Sequence, residues 1–112
     1  MSQQRYHPDH KAALDALLLG VPGVTPGQMM GHPGYFIAGK MFAFLVEEGF
    51  AMKLPDKPKK VLLAQDNTAL FAPGGTPMRN WVQVRMDSPA DYAGYTDYLR
   101  QAIEFVLEQA SK

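Results

Sequence analysis

The stretch from Tyr35 to Leu54 leaves the chain few ways to fold. Tyr35-Phe36-Ile37 and Lys40-Met41-Phe42 bracket Ala38-Gly39, and Leu45-Val46-Glu47 and Phe50-Ala51-Met52 bracket Glu48-Gly49. Aromatic and apolar flanks around two-residue pairs that each carry a glycine predict two consecutive hairpins, a three-stranded antiparallel meander. The turns set a register with Ile37 opposite Lys40, Phe36 opposite Met41, Glu47 opposite Phe50 and Leu45 opposite Met52. Because side chains alternate along a strand, one face should carry Phe36, Met41, Ala43, Leu45, Phe50, Met52 and Leu54, with Glu47 out of place. The other should carry Tyr35, Ile37, Lys40, Phe42, Phe44, Val46, Ala51 and Lys53. The first is the better core face; the second mixes rings with lysines.

Helices flank this sheet. Ala13, Leu14, Leu17 and Leu18 recur at helical spacing within Pro8 to Leu19, with Pro8 suited to the first turn and Gly20 and Pro22 to the stop. Gly20 to Gly27 reads as a loop, Gln28 to Met30 as a strand, and Gly31-His32-Pro33-Gly34 as a turn. Asp56 to Gln65 predicts a helix capped by Asp56, with Val61, Leu62 and Gln65 facing inward. Ala69 to Phe71 and Trp81 to Arg85 predict short strands on either side of a loop from Pro73 to Pro77. Ser88 is a good N-cap, Pro89 suits the first turn, and Tyr92, Tyr95, Leu99, Ala102, Ile103, Val106 and Ala110 form one apolar stripe. The chain is expected to form one α+β domain over 1–112, an antiparallel sheet with N- and C-terminal helices.

Composition narrows the chemistry. With no cysteine among 112 residues, disulfides, thiolate zinc sites and cysteine nucleophiles are excluded, and a reducing compartment is favoured. Eleven basic residues balance eleven acidic ones. That balance gives no global field toward nucleic acid, which usually calls for an excess of Lys and Arg. Met1 to His10 is polar, unlike the apolar heart of a signal peptide, and the longest apolar run, Met41 to Val46, is too short to span a bilayer. The expected location is the cytoplasm, with no membrane partner.

Candidate site residues are few. His7 and His10 lie close to each other beside Asp9, but a zinc site needs further convergent ligands, so they are read as a solvated turn and no metal is expected. His32, without a nucleophile motif beside it, is read as a turn or surface residue. Gly74-Gly75-Thr76 lacks the lysine and following helix of a phosphate loop. Lys57, Lys59 and Lys60 are read as a solvated run, and Met41 and Met52 as core fillers. The mixed face stands out. Lys40, Phe42, Phe44 and Lys53, joined by Arg79 and Trp81, could stack a planar ligand or a base, or be buried by a protein partner or a second copy.

Met30-Gly31-His32-Pro33-Gly34-Tyr35-Phe36-Ile37-Ala38-Gly39-Lys40-Met41-Phe42-Ala43, followed by Met52-Lys53-Leu54-Pro55 and then Pro77-Met78-Arg79-Asn80-Trp81-Val82, resembles the N-terminal domain of the TfoX/Sxy competence regulators. It is also similar to the related MmcQ/YjbR-like proteins. The sequence departs from that pattern at Met30, where phenylalanine is favoured, and at Ala38, where Asn or Asp is favoured. The resemblance implies a compact α+β domain without catalytic residues or cofactor. The expectation that follows is a non-enzymatic regulatory or protein-interaction module working through a partner or as a homodimer. The alternative is a small-ligand or nucleic-acid binder using the aromatic and lysine face.

Overall fold

The computed structural model describes residues 6–29, 31–72 and 75–111. Its elements run α1 (Pro8–Leu18), β1 (Val24–Met29), β2 (His32–Ile37), β3 (Lys40–Val46), β4 (Gly49–Lys53), α2 (Asp56–Leu63), β5 (Thr68–Leu70) and β6 (Trp81–Arg85), then a 3-10 helix (Pro89–Tyr95) and α3 (Thr96–Ala110). The strands form one six-stranded sheet in the order β1-β2-β3-β4-β6-β5, antiparallel throughout. The expected α+β architecture with terminal helices is therefore present, and its meander is longer than three strands. Val24 starts β1 inside a stretch read as loop. Pro26 misled that reading, yet a proline is tolerated here because β1 is an edge strand. Met30, the end of the strand expected there, lies outside the described residues, as do Pro73 and Gly74 of the expected loop.

The two hairpins form, each with a twist in its detail. Ala38 and Gly39 turn the first, both at positive φ (53° and 77°), the mirror-image geometry that a two-residue hairpin favours. The second turn is Glu47-Glu48, not Glu48-Gly49: Val46 pairs with Gly49, Leu45 with Phe50 and Ala43 with Met52. Gly49 is a strand residue. A Cβ there would lie 1.9 Å from the Val84 carbonyl oxygen, so glycine is needed for close approach to β6. The shift spans two residues, so Leu45, Phe50 and Met52 keep their core face, and Glu47 escapes into the turn.

A one-residue irregularity changes the rest. Phe36 pairs with Met41 but Tyr35 pairs with Ala43, so Phe42 is the extra residue of a β-bulge. Past the bulge the parity of β3 changes relative to β2. Phe42 and Ala43 both join the main core, together with Tyr35 and Ile37; strict alternation places Ala43 there but puts Tyr35, Ile37 and Phe42 on the other face. Phe36 and Met41 move to the opposite face. There, Gly27 and Gly34 make room for them: a Cβ on Gly27 would lie 2.5 Å from the Phe36 ring, and one on Gly34 would lie 2.7 Å from Met41 Cε.

All the helices cover one face. Leu14 and Leu18 of α1, Leu62 of α2, Tyr92 of the 3-10 helix, and Leu99, Ala102 and Val106 of α3 join the strand residues in the main core. Val61, expected inward, is 59% exposed, because helix α2 turns only Leu62 fully to the core. Gln65 and Ala110 are exposed too. Ser88 caps as expected, its Oγ accepting from Ala90 N at 3.3 Å, but the first turns tighten into the 3-10 helix before α3 begins. α1 is fastened by a polar chain: Lys11 Nζ donates to Asp15 at 2.8 Å, and the Tyr35 hydroxyl donates to Asp15 at 2.5 Å. Burial and that hydrogen bond both push the Tyr35 phenol well above its usual range.

Two outcomes test this frame. Phe42→Ala should cost about 3–5 kcal/mol in urea unfolding, as for a fully buried ring, and Phe36→Ala clearly less; equal losses, or a reversed order in the milder leucine variants, would refute the bulge. Ala38→Asn should raise stability by about 0.5–1 kcal/mol, since asparagine tolerates the left-handed region better than alanine.

Candidate functional site

The face without helices has a small cluster of its own. Phe44 is 1% exposed, Ala51 is fully buried, and Trp81 is 8% exposed, with Met29, Met41, Val46 and Phe71 half-buried around them. The Phe44 ring centroid lies 5.1 Å from those of both Phe71 and Trp81. Phe71 follows β5 and is held in place by the backbone: its N–H donates to Trp81 O at 2.9 Å, and its carbonyl accepts from Met78 N at 2.8 Å. His32, expected in a turn, lies in β2 and packs on the edge of Phe44 at 6.4 Å. Its Nδ1 is buried without a hydrogen-bond partner among the described residues. Met41, expected as core filler, belongs to this face; Met52 fills the main core.

The six candidate residues do not converge. Phe44, Lys53 and Trp81 share the helix-free face, with Lys53 opposite Trp81 in the β4–β6 ladder. Lys40 is exposed at the start of β3, and Arg79 is exposed in the turn before β6. Arg79 lines a hollow with Asp56, Asn80 and Phe105 on the helix side. There, hydrogen bonds from Asn80 and Lys59 hold the Asp56 carboxyl below its usual range. Phe42 is fully buried in the main core on the opposite face. A stacking site built from both Phe42 and Phe44 is therefore not formed, and the rings of Phe44 and Trp81 are too covered to stack a base.

A second locus was misjudged from sequence. His10, read as part of a solvated turn, is 6% exposed, and its Nδ1 lies 2.8 Å from the hydroxyl of the fully buried Tyr92. The pair ties α1 to the 3-10 helix. A signal was available: His10, Leu14 and Leu18 are spaced by four, so they fall on one helical stripe. The His7 ring lies 5.0 Å from that of His10, and its Nε2 is 4.0 Å from Glu48. His7, Asp9, His10, Glu48, Met86 and Asp87 line an open cleft of about 330 Å³. Among the described residues, no group of three or more His, Cys, Asp or Glu is placed to hold a metal ion. Among them, too, no helix is long and apolar enough to cross a membrane.

Comparison with protein families, curated proteins and solved structures finds no match. The resemblance to TfoX/Sxy N-terminal domains thus rests on the motifs alone.

Burial, with the His7 charge adding to it, holds the His10 imidazole below its ordinary value of 6.5, while Asp9 and Glu48 pull it the other way. The folded state thus favours neutral His10. Its contribution to stability is complete above about pH 6.5 and is lost as the pH falls through the lower folded value. The melting temperature should therefore drop on acidification from about pH 7 to about pH 5, and His10→Asn should flatten that slope. An unchanged slope in the variant would refute the assignment.

Proposed function

We propose that this chain is a non-enzymatic interaction module of the TfoX/Sxy N-terminal type, working in the cytoplasm, that contacts a protein partner or a second copy of itself through the helix-free face of its sheet. One observation carries this reading. Every helix packs against one face, while the reverse face presents Met29, Met41, Val46 and Phe71 half-exposed over a buried aromatic floor. Methionine is adaptable and suits surfaces that receive apolar side chains, and contiguous apolar surface rimmed by polar groups marks contact sites. The polar residues inside the fold serve as anchors: His10 holds Tyr92, and Asp15 holds Tyr35. The ligand or nucleic-acid alternative draws less support, because Phe42 faces the core and the cations around Lys53 do not line one groove.

A photo-reactive benzoylphenylalanine at Val46 should cross-link a protein in native extract or a second copy, and Met41→Glu should suppress the product. The same probe at Leu107, 39% exposed on α3, should give none. Equal yields from the two positions, or no product from Val46, would overturn the reading.

A further inference from the structure

Thioether and imidazole donors gather at one corner of the helix-free face, where β1 and β2 meet β3. Met29 stands directly opposite His32 in the β1–β2 ladder, and a pair so placed has Cβ atoms about 4.5–5.5 Å apart. Gly34 is the next residue on that face of β2, about 7 Å along the strand. It has no side chain, and Met41 of β3 fills the space: its Cε lies 2.7 Å from where a Gly34 Cβ would stand. The Met41 sulfur, bonded to that carbon, is thereby carried toward His32. Phe44, opposite Gly34, closes the corner, with its ring 6.4 Å from the His32 ring. Met29 and Met41 both pack against the Phe44 cluster.

Within this corner His32 Nδ1 is buried and has no hydrogen-bond partner among the described residues. Buried polar atoms are nearly always satisfied, so an orphan of this kind points to a missing partner. A buried water would itself need two to four polar partners, and Met29, Met41 and Phe44 offer only weak acceptors and a ring. We propose that His32 Nδ1 and the thioethers of Met29 and Met41 form a site for a soft monovalent metal ion, Cu(I). In the neutral ring with its proton on Nε2, Nδ1 carries a free lone pair. Thioethers select Cu(I), and imidazole suits copper as well. Zinc fits less well, since it takes nitrogen, oxygen or thiolate ligands and no three such residues gather to hold it among those described. Methionine has three rotatable bonds, so both sulfurs can close on an ion held by Nδ1 while the strands stay in place. Met29, His32 and Met41 are each half-buried, which leaves the ion a way in. Such a site needs no protein on the helix-free face, and it stands or falls separately from the contact proposed there.

Under anaerobic conditions, Cu(I) titrated against the chromogenic chelator bicinchoninate should leave one ion retained per chain. His32→Phe, which keeps a ring beside Phe44, should abolish retention. Met29→Leu and Met41→Leu conserve volume and should each weaken binding by at least about tenfold, the low end of what losing an outer-sphere partner costs. Met52→Leu in the main core and His7→Gln in the cleft on the helical side should leave it unchanged. In the unmutated chain, Ag(I), a redox-inert substitute, should move the His32 Nδ1 resonance and the Met29 and Met41 methyl signals in NMR spectra. Failure of the unmutated chain to retain Cu(I), retention that survives His32→Phe, or retention lost in His7→Gln would overturn the site. Ag(I) shifts confined to other histidines and methionines would do the same.

Discussion

The residue on which both faces of this sheet depend is Phe42, the extra residue of the β2–β3 ladder. Strict alternation would send Phe42 outward and bring Phe36 and Met41 in. The bulge instead turns Phe42 and Ala43 to the same side, so Tyr35 and Ile37 face the helices. Four consequences follow from that single insertion. The core gains a phenylalanine and an isoleucine. Tyr35 comes within reach of Asp15 and fastens α1 to the sheet. Phe36 and Met41 are left on the far face, where two glycines on β1 and β2 accommodate them. The far face thereby acquires enough apolar surface for a second cluster.

The two clusters differ in what closes them. The helical side is completed by side chains from α1, α2, the 3-10 helix and α3, and two hydrogen bonds hold α1 in place: a buried one between His10 and Tyr92, and a part-buried one from Tyr35 to Asp15. A buried polar group left without its partner is costly, on the order of 1–3 kcal/mol, so these pairs fix the position of α1 as well as stabilising it. Among the described residues, the far side is closed only by strand residues and by Phe71, which the backbone bonds to Trp81 and Met78 hold over Phe44. Phe44 and Trp81 are thereby withdrawn from solvent, and the methionines around them remain at the surface. A face finished by flexible, polarizable side chains suits contact with another protein better than stacking of a base.

Topology also distributes charge that composition leaves balanced. In an antiparallel sheet every turn sits at one end or the other, so residues far apart in sequence gather by parity. Glu48 and Asp66 come together with Arg85 at one end, and Lys53 lies beside Trp81 at the other. Equal numbers of cations and anions therefore still leave local fields that a sum over the chain cannot register.

The sequence by itself determined the α+β class, the hairpin at Ala38-Gly39, the core positions of Leu45, Phe50 and Met52, the strand from Trp81 and the stripe of the last helix. All of these follow from short-range periodicity and from turn chemistry acting within a few residues. It also marked Lys40, Phe42, Phe44, Lys53, Arg79 and Trp81 as a group, of which Phe44, Lys53 and Trp81 share a face, because alternation holds on β4, β6 and the part of β3 past the bulge. Only the tertiary structure decided the bulge at Phe42, the strand role of Gly49, the burial of His10 and the place of Val24 in an edge strand. Each depends on packing beyond the local pattern: the helical face that takes in Phe42, the Val84 carbonyl beside Gly49, the Tyr92 hydroxyl, and the edge position of β1 that tolerates a proline. Local pattern specifies which residues prefer to be buried, and long-range packing settles on which side, because a single inserted residue reverses every side chain beyond it.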